Sequence, residues 1–335
     1  MQSLLFIPLL TSFFVTMLVL PSWIKKAKKT RLTGKDLNKL SKLEIAESGG
    51  IIVILGFLIG VLIYIAIKTF YFKDLTNLTE IFALTTSIII ISYVGIMDDF
   101  FGWKIGLGKK TRIFLVLGGT IPLIVINAGV HQVLIPFFGH TNLGLIYPLF
   151  LIPLGILGAT ISYNFLAGFN GLEAGQGVLI IGFLSFVSYK TGSTWLSILG
   201  LCMVVSLLAF YFFNKYPAQV FPGDVLTYSI GALIAIMAIL GNFEKIAIFI
   251  FIPYIIETIL TIRGRLVKQC YGKPNKEGFL EMPYKKIYSL THLFILILSK
   301  IKKRVYEKDV VYLIFLFQLI LIGLSLVFFR GVLFT

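Results

Sequence analysis

Residues 164–176 read Asn-Phe-Leu-Ala-Gly-Phe-Asn-Gly-Leu-Glu-Ala-Gly-Gln, a polar stretch between two apolar runs, Leu145–Tyr163 and Val178–Tyr189. Amide and carboxylate oxygens, together with the backbone N–H groups that glycine leaves accessible, can bind a cation or a phosphate. Asn and Gly are also common turn residues, so an ordinary turn between two helices is an equally weighted alternative. On either interpretation the stretch marks where one membrane helix ends and the next begins.

The composition indicates an integral membrane protein. Of the 335 residues, 58% are hydrophobic and only 13% are charged, and the mean hydropathy is +0.95. A soluble globule of this size needs more polar surface, so we expect an all-α protein that crosses the membrane several times. The net charge of +15 comes from short basic loops between apolar runs. This distribution suits phosphate head groups and membrane orientation, and it argues against nucleic-acid binding.

The apolar runs predict about ten transmembrane helices in a single domain covering residues 1–335. Several runs approach the ~20 residues that a helix needs to cross a bilayer. The run Leu293–Leu298 is too short and is predicted to lie at the membrane interface. Cytoplasmic loops are predicted at about 25–49, 98–112, 164–177, 214–224 and 263–309. The predicted spans are Leu4–Ile24, Gly50–Ile67, Ile81–Met97, Ile113–Ala128, Leu145–Tyr163, Val178–Tyr189, Trp195–Phe213, Val225–Gly241, Ile246–Ile262 and Val310–Phe329.

The basic residues predict how these spans are oriented. Cytoplasmic loops of membrane proteins are enriched in Lys and Arg, and 25 of the 30 basic residues follow odd-numbered spans. Both chain termini are therefore predicted to lie outside, and the Asn164 stretch inside. Lys73 and Lys190 are predicted to lie on the opposite side of the membrane from that stretch.

Acidic residues are few, 15 in all, and Asp98, Asp99 and Asp224 among them stand where predicted spans meet the predicted cytoplasmic face. Asp98 and Asp99 stand together at the inner end of the third span, where paired carboxylates are costly without a cation or a basic neighbour. The alternative is a solvent-exposed pair at a helix end. Asp224 begins the eighth span in Phe221-Pro-Gly-Asp and is either a metal ligand or a helix cap.

These oxygen-rich clusters beside a basic loop suit a Mg²⁺-bound diphosphate that reacts with a molecule dissolved in the lipid. A transporter is the rival interpretation, but it would more naturally carry ionisable groups near the bilayer midplane. Glu257, in the ninth span, is the one carboxylate at such a depth. It is expected to pair with Thr258 or Thr261, or to face a catalytic cleft.

Five motifs occur in a fixed order along the chain: Gly34-Lys-Asp-Leu-Asn-Lys with Ile45-Ala-Glu-Ser-Gly, Asp98-Asp99, residues 164–176, Phe221-Pro-Gly-Asp224, and Leu280-Glu-Met-Pro-Tyr284. Together they resemble the polyprenyl-phosphate N-acetylhexosamine-1-phosphate transferases, and specifically the eukaryotic and archaeal branch that makes dolichyl-diphosphate GlcNAc. The resemblance implies an active site on the cytoplasmic face of a ten-span protein. Another UDP-N-acetylhexosamine donor within the same family is the alternative.

The resemblance also implies the substrates and the setting. The donor would be UDP-GlcNAc, the acceptor dolichyl or another polyprenyl phosphate, and the cofactor Mg²⁺, with Mn²⁺ as a substitute. The protein would be multi-pass in the cell membrane of an archaeon or in the endoplasmic reticulum membrane of a eukaryote. A homodimer is one possible assembly.

Residue roles follow from the same resemblance. Asn164 and Asp224 would be Mg²⁺ ligands, and Asp98 and Asp99 the catalytic acidic pair. A basic residue among Lys109, Lys110 and Arg112 would hold the diphosphate, with Lys110 as the catalytic one and the other two as substrate ligands. The nucleotide pocket would be lined by Gly168, Phe169, Asn170 and Glu173, and uridine or sugar would contact Leu37, Asn38 and Glu47.

The chain departs from the family pattern at two places. The family often carries a further Asn three residues before Asn164, but this chain has Ile161, so that role is unfilled or has moved to Ser162. The family's histidine-containing basic cluster in the last cytoplasmic loop is absent. Arg265, Lys268 and Lys273 are predicted to replace it in part as a phosphate and sugar clamp. The alternative is a basic loop that contacts lipid head groups.

Overall fold

The computed structural model describes residues 2–40, 44–130, 132–135 and 139–333. It is mainly helical, with three two-stranded antiparallel hairpins. The hairpins are β1 (Thr33–Lys35) with β2 (Glu44–Ala46), β3 (Gln132–Ile135) with β4 (Gly139–Asn142), and β5 (Lys273–Pro274) with β6 (Leu280–Glu281). The α-helices are α1 (Phe6–Lys29), α2 (Gly50–Ala66), α3 (Leu78–Ile105), α4 (Lys109–Gly118), α5 (Ile121–Val125), α6 (Ile152–Phe165), α7 (Leu172–Lys190), α8 (Thr194–Asn214), α9 (Gly223–Gly241), α10 (Glu244–Ile250), α11 (Ile252–Arg263), α12 (Leu290–Ile301), α13 (Glu307–Phe328) and α14 (Arg330–Leu333).

Long apolar helices confirm that the chain is a polytopic all-α membrane protein. Within the described residues, eight helices are long and apolar enough to span a membrane, when the π-helical turns Ile67–Tyr71 and Tyr147–Leu151 are counted with α2 and α6. Helices α10 and α11 together give a ninth span, bent by 60°. The predicted sixth span, Val178–Tyr189, is extended by α7 to 19 residues. The predicted interfacial run lies in α12, which has 12 residues and is too short to cross.

The fourth predicted span, Ile113–Ala128, differs most from its prediction. It forms two short helices, α4 and α5, with Gly119 and Thr120 between them. Gly118 and Gly119 lower the helix propensity at this point. Pro122, which lacks a backbone N–H, suits the first turn of a new helix rather than the interior of a continuous one.

The broken segment nevertheless runs the full depth of the bundle. Arg112 at its start pairs with Asp98 near the C-terminal end of α3, and Gly119 packs against Ile91 two turns earlier in α3. Gly129, after α5, lies against Ile239 at the far end of α9. The chain therefore crosses the bundle beside α3, antiparallel to it, although neither helix alone is long enough to span.

The most buried helix is α9, and it forms the centre of the bundle. Its run of buried side chains is almost continuous from Val225 to Ile239. Helices α3 and α6 pack on it, so Gly95 of α3 meets the backbone of Val225, and Gly231 of α9 meets the backbone of Ala159 in α6. The ends of α3 and α6 therefore meet beside the beginning of α9.

The predicted loops meet at this same end of the molecule, which we call the polar end. The first loop joins the loop before α9, because Phe221 donates its N–H to the carbonyl of Ala46 (2.7 Å). Asn38 joins two further loops: its Nδ2 donates to the carbonyl of Gly168 (2.8 Å), and its Oδ1 accepts from the N–H of Gly272 (3.0 Å). Four loops, far apart in sequence, thus form one surface.

Glu257, which lies in α11, holds one of the loops of this surface by hydrogen bonds. Its carboxylate accepts hydrogen bonds from Ser289 Oγ (3.0 Å) and from the N–H of Leu290 (2.6 Å), at the start of α12. The expected pairing with Thr261 is present at 3.3 Å. Glu257 therefore anchors the loop that leads into α12.

Candidate active site

Asp98 is a buried carboxylate at the polar end, with only 5% of its surface exposed. Its Oδ1 accepts the N–H of Leu107 (2.8 Å), and its Oδ2 accepts the hydroxyl of Tyr228 (3.2 Å). Arg112 places a guanidinium nitrogen 2.5 Å from the same Oδ2. Asp98 therefore fixes the position of Arg112, which also lies over the ring of Tyr228.

Asp99 points in a different direction and binds the start of α9. Its Oδ1 accepts the N–H of Asp224 at 2.7 Å, and its Oδ2 lies 3.5 Å from the N–H of Val225. Both N–H groups belong to the first turn, where a helix has no internal acceptors and a negative charge is favourable. Gly223 has a φ of +73°, and a Cβ there would collide with the Asp99 carboxylate. Glycine is therefore needed for this approach.

Asp224 is the acidic residue in the first turn of α9, whose N-cap position is Pro222. Asp99 supplies the acceptor that the first turn of α9 needs, while Asp224 lies in that turn, where a negative charge is also favourable for the helix dipole. The Asp224 carboxylate has a side-chain hydrogen-bonding contact with the carboxyl group of Asp98, and its charged neighbours are Asp99, Asp98 and Arg112. No backbone N–H of the described residues holds this carboxylate, so it is available to bind a ligand.

Asn164, near the end of α6, contacts Thr227, which lies one turn after Asp224 in α9. Its Oδ1 accepts the hydroxyl of Thr227 at 2.9 Å, and the same hydroxyl is 3.2 Å from the carbonyl oxygen of Asp224. The two predicted metal ligands, which are 60 positions apart in sequence, are thus brought to the same place. An amide oxygen and a carboxylate are ligands that Mg²⁺ accepts.

The local charge fits a divalent cation. Three carboxylates, those of Asp98, Asp99 and Asp224, face one guanidinium, that of Arg112. No three His, Cys, Asp or Glu side chains among the described residues already form a metal cage. An incomplete protein ligand set is usual for Mg²⁺, which keeps waters and binds substrate phosphates directly. The residues present therefore fit the implied ion, which Asp224 and Asn164 would hold.

Lys109 and Lys110, the other two predicted diphosphate ligands, are exposed at the first turn of α4. No ion pair joins either lysine to an acidic side chain of the described residues. Arg112 is the one of the three that the structure brings to the carboxylates. The lysines remain predicted phosphate ligands at the edge of the site.

Glu47 lies in the first loop, next to this cluster. Its carboxylate covers Gly34 so closely that a Cβ at that glycine would collide with it. Trp23 holds the backbone by donating its Nε1–H to the Glu47 carbonyl (3.0 Å). Burial, with a further contribution from the negative charge of Asp99, raises the pKa of Glu47 from 4.5 to about 7.

The turn between α6 and α7 presents mainly backbone. Gly168 has a φ of +100°, and a Cβ there would meet the ring of Tyr271. The Gly168 N–H donates to Oε1 of the buried Glu173 (2.5 Å), and Phe169 is buried beneath the turn. Gly168, Phe169 and Glu173 were predicted to line a nucleotide pocket. Their direct contact with nucleotide stays a prediction, and the structure shows how they shape the turn.

Asn170 is held by two carboxylates that the sequence did not single out. Its N–H donates to Glu307 Oε1 at 2.6 Å, and its Nδ2 donates to Asp36 Oδ2 at 3.1 Å. Lys39 pairs with Asp36 at 2.8 Å and lies 3.9 Å from Glu307. Because a carboxylate only accepts hydrogen bonds, Asp36 fixes which end of the Asn170 amide faces it. The amide oxygen is thereby turned away from Asp36.

The missed residues gave only a weak signal in sequence. Asp36 and Lys39 lie within a quoted motif of the first loop but resemble ordinary polar loop residues. Glu307 begins α13, where an acidic residue is favourable for the helix dipole alone. More than 130 positions separate Asp36 and Glu307 from Asn170, so local patterns contain no sign of the contact.

A cleft of about 350 Å³ lies between the first loop and the loop before α12. Leu37, Tyr271, Tyr284 and Lys273 contribute to its walls. The Lys268 ammonium lies 4.8 Å from the centre of the Tyr284 ring. Arg265 is exposed, with a φ of +58°. Of the three predicted clamp residues, Lys273 lines the cleft, Lys268 borders it, and Arg265 makes no described ion pair.

His292 does not replace the missing histidine cluster. It is fully buried in α12, where its Nδ1 accepts the N–H of Tyr288 and its Nε2 lies 3.3 Å from the carbonyl of Tyr271. Burial lowers the pKa of His292, which favours the neutral ring. Ser162, the candidate for the missing Asn role, accepts the hydroxyl of Thr258 (2.8 Å). Both residues therefore have structural partners.

Comparison with known proteins places the chain in a family. Residues 81–242 match the family described as glycosyl transferase family 4. A protein of Saccharolobus solfataricus, provisionally named a UDP-N-acetylglucosamine–dolichyl-phosphate N-acetylglucosaminephosphotransferase, is 36% identical over 289 residues, which cover 86% of each chain. The Dictyostelium discoideum protein with the same activity in its name is 30% identical over 286 residues, covering 74% of this chain and 69% of that one.

More distant relatives include bacterial enzymes. A phospho-N-acetylmuramoyl-pentapeptide-transferase of Streptococcus pneumoniae is 27% identical over 257 residues, covering 74% of this chain and 76% of its own. The motifs, the site and the comparisons agree. The chain belongs to glycosyl transferase family 4, the polyprenyl-phosphate N-acetylhexosamine-1-phosphate transferases that its ordered motifs resemble.

Proposed function

We propose that the protein transfers GlcNAc-1-phosphate from UDP-GlcNAc to dolichyl or another polyprenyl phosphate, giving the diphosphate-linked lipid and UMP. The single observation that carries this proposal is the cluster of Asp98, Asp99, Asp224, Asn164 and Arg112 at the end of an apolar bundle. Such a cluster suits a charged diphosphate donor that must meet a lipid-dissolved acceptor. The names of the Saccharolobus solfataricus and Dictyostelium discoideum relatives support the same donor and acceptor.

In the proposed reaction an oxygen of the acceptor phosphate attacks the β-phosphorus of the donor. The bond from that phosphorus to the bridging oxygen breaks, and UMP leaves with the electron pair. The second pKa of a phosphate monoester is about 6, so the acceptor is largely ionised near neutral pH and a strong base is unnecessary. Orientation of the two phosphates and neutralisation of their charge therefore dominate the catalysis.

Each residue of the cluster has a proposed part in this positioning. Arg112, held by Asp98, faces the phosphates as a fixed positive charge. Asp99 holds the first turn of α9 and so positions Asp224. Asp224 and Asn164 would hold Mg²⁺, which when bound would neutralise charge on the diphosphate.

The donor is proposed to extend from this cluster toward the cleft at Leu37. The turn of residues 164–171 lies between the two places, and Asn38 ties that turn to the wall of the cleft at Gly272. Lys273 is proposed as a phosphate or sugar contact because it lines the cleft. We further propose that the polar end faces the cytoplasm, since it carries most of the basic loops.

One assay tests the function. UMP release would be measured with purified protein, dolichyl phosphate, Mg²⁺ and a panel of UDP-sugars. We expect UDP-GlcNAc to be the best donor, with activity lost on chelation and restored by Mg²⁺. Release of UMP from another UDP-N-acetylhexosamine only would retain the reaction type and replace the donor. No transfer from any UDP-sugar would overturn the proposal.

A further inference from the structure

Gln318 lies near the middle of α13, where its side chain is fully buried. Its Nε2 donates to the carbonyl of Ile250 at 3.0 Å. Ile250 is the last residue of α10, so this hydrogen bond is made at the point where α10 and α11 bend by 60°. An amide buried within an apolar span is costly without a partner, and here the partner is the backbone of the bend.

The bend leaves the Ile250 carbonyl without a backbone donor. In a continuous helix this carbonyl would accept the N–H of Tyr254, four residues later. Tyr254 donates its N–H to the carbonyl of Phe251 instead (3.0 Å), and Pro253, three residues after Ile250, has no N–H. No other backbone N–H of the described residues donates to Ile250. Because an unpaired carbonyl is costly in hydrocarbon, the bend depends on the donor that Gln318 supplies.

The bend also places an aromatic stack against the end of α6. The rings of Phe251 and Tyr254 stack with their centres 4.7 Å apart, and Tyr254 stacks on Tyr163 at 4.6 Å. Tyr163 directly precedes Asn164, and its hydroxyl donates to the carbonyl of Glu173 at 2.7 Å. Tyr163 and Tyr254 are both fully buried. Closely packed rings cannot shift independently, so the bend fixes the place of Tyr163 and of the residue after it.

Beyond the bend, α11 makes two further contacts with the polar end. Thr258 donates its hydroxyl to Oγ of Ser162 (2.8 Å), two residues before Asn164. Glu257 accepts the N–H of Leu290 at the start of α12 (2.6 Å). Both contacts depend on the direction in which α11 leaves the bend. A change in the bend would therefore disturb the end of α6 that carries Asn164.

We propose that Gln318 is a positioning residue for the transfer reaction, because it holds the bend and the bend holds Asn164 through the aromatic stack. Gln318 acts through the backbone of Ile250 and touches no reacting group. The inference depends on the proposed function, in which Asn164 has a part at the reacting phosphates. Loss of the Gln318 amide should therefore lower turnover even in a protein that remains folded.

The test separates the hydrogen bond from the bend. Gln318→Met retains the length of the side chain and removes the donor, so the Ile250 carbonyl is left unpaired. Addition of Pro253→Ala allows a continuous helix, in which the N–H of Tyr254 pairs with that carbonyl. The double variant therefore satisfies the carbonyl and loses the bend. Leu321→Met is the matched control, because Leu321 is buried one turn later on α13 and its substitution removes no hydrogen bond.

Thermal unfolding would be measured without Mg²⁺, and UMP release would be measured well below the unfolding temperature. We expect Gln318→Met to unfold a few degrees lower and to lose about tenfold or more in kcat, while the acceptor KM changes less than about twofold. The double variant should regain the unfolding temperature and keep the low kcat. Pro253→Ala alone, in which Gln318 still holds the bend, and Leu321→Met should keep kcat within about twofold.

Spin labels can report the bend without any activity assay. Lys245→Cys and Arg263→Cys place labels at exposed positions near the outer ends of α10 and α11, with Cys270→Ser to remove the partly exposed native thiol. The distance between the labels should increase in the double variant, because a straight helix separates its ends further than a bent one. An unchanged distance would show that the bend does not depend on Gln318 and would overturn the inference.

The activity measurements give two further outcomes that would overturn it. A destabilised Gln318→Met with unchanged kcat would show that Gln318 serves stability alone, and so would recovery of both quantities in the double variant. If Gln318→Met does not fold, the double variant and Pro253→Ala carry the comparison, since the Ile250 carbonyl has a donor in both. No UMP release by the unsubstituted protein from any UDP-sugar would instead overturn the proposed function, and this inference with it.

Discussion

Asp224 lies where the folded protein does little to stabilise a negative charge. Asp98 and Asp99 lie beside it, and Arg112 is already paired with Asp98. We expect Asp224→Asn to lower UMP release by about a hundredfold or more, because it removes a proposed Mg²⁺ ligand. The same variant should unfold at a higher temperature without Mg²⁺, because one of three like charges is gone.

Both effects can be measured on one preparation, by UMP release and by thermal unfolding with and without Mg²⁺. Glu277→Gln is a suitable control. Glu277 is exposed, its ion-pair partner at 3.5 Å is the exposed Arg304, and neither residue has a proposed part in the reaction. Full activity of Asp224→Asn at limiting Mg²⁺ would exclude Asp224 as a ligand. An unfolding temperature below that of the unsubstituted protein would contradict the electrostatic account.

Asp98 and Asp99 are adjacent, yet their substitution should give different results. Asp98 holds Arg112, whereas Asp99 holds the first turn of α9. Asp98→Asn should lower kcat strongly and leave stability nearly unchanged, because Arg112 loses its partner. Asp99→Ala should lower the unfolding temperature as well, since two N–H groups of α9 lose their acceptor at a cost of about 1 kcal/mol or more. Parallel measurement of kcat and unfolding checks this; equal effects would contradict it.

Glu47 should make stability depend on pH. Its pKa rises from 4.5 to about 7 on folding, mainly through burial, so the folded protein binds this proton more tightly than the unfolded chain does. Stability contributed at this site therefore falls as the pH rises from 4.5 to about 7. Glu47→Gln cannot ionise and so escapes this loss of stability. Its unfolding temperature should match that of the unsubstituted protein at low pH and exceed it by a few degrees at about pH 8.

A pH series of thermal unfolding for both proteins provides the measurement. Glu281→Gln serves as the control, because Glu281 is an exposed carboxylate in β6. A constant difference between Glu47→Gln and the unsubstituted protein across the series would show that Glu47 does not titrate in this range. Chelator should be present throughout, so that metal binding does not contribute.

The sequence was sufficient to predict which residues gather at the polar end. It was less informative about the role of each residue there. The pairing of Asp98 with Asp99, and the isolation of Asp224 after Pro222-Gly223, were sufficient to predict a shared site. Neighbouring helical side chains point about 100° apart, so one of the pair had to face elsewhere. Which residue caps α9 depends on how α3 packs against α9, and no local pattern contains that information.

At the scale of elements, the turn between α6 and α7 depends on charges supplied by distant segments. Asp36 of the first loop and Glu307 of α13 hold Asn170 from two sides. Glu307→Ala should raise the KM for UDP-GlcNAc about tenfold, because the Asn170 N–H loses its acceptor and the turn is no longer fixed. Glu307→Gln should recover most of the loss, because its amide oxygen can still accept that bond.

Donor and acceptor kinetics are measured separately for both variants. The acceptor KM should change little, since the turn lies on the donor side of the proposed site. Similar losses in Glu307→Gln and Glu307→Ala would show that the negative charge matters and that acceptance of the hydrogen bond alone is insufficient. A rise in the acceptor KM alone would contradict the assignment of this turn to the donor.

The breaks within helices were readable from sequence in principle. Pro122 follows the two glycines of the fourth predicted span, and Pro253 lies within the ninth. Both prolines occupy the first turn of a helix that begins after a break, which is where proline is tolerated. Hydropathy alone favours a continuous span. The two spans were therefore predicted as unbroken helices despite their prolines. The bend of 60° between α10 and α11 has the same origin.

At the scale of the whole molecule, the arrangement of the chain agrees with the predicted alternation of loops. The predicted cytoplasmic loops meet at the polar end, and the chain between α3 and α6 returns through α4 and α5. Lys68, Asp74 and Thr76 interact at the opposite end, after α2. A membrane must lie between these two ends, because the helices joining them are apolar along their length. The orientation in that membrane is still a prediction from charge.

Cysteine labelling can decide that orientation. Lys276→Cys places a thiol in the loop before α12, at the polar end, and Lys73→Cys places one in the exposed loop between α2 and α3. Cys202 is buried, and Cys270 donates its thiol to the carbonyl of Ala167 and is only partly exposed, so Cys270→Ser reduces the background. In sealed right-side-out vesicles, a membrane-impermeant maleimide should label position 73 and leave position 276 unlabelled until detergent is added.

This result is expected because 25 of the 30 basic residues belong to the predicted cytoplasmic loops, and positive loops remain in the cytoplasm. Labelling of position 276 alone would show that the protein has the opposite orientation in the membrane. Labelling of both positions from outside would contradict an odd number of crossings between α2 and the last loop.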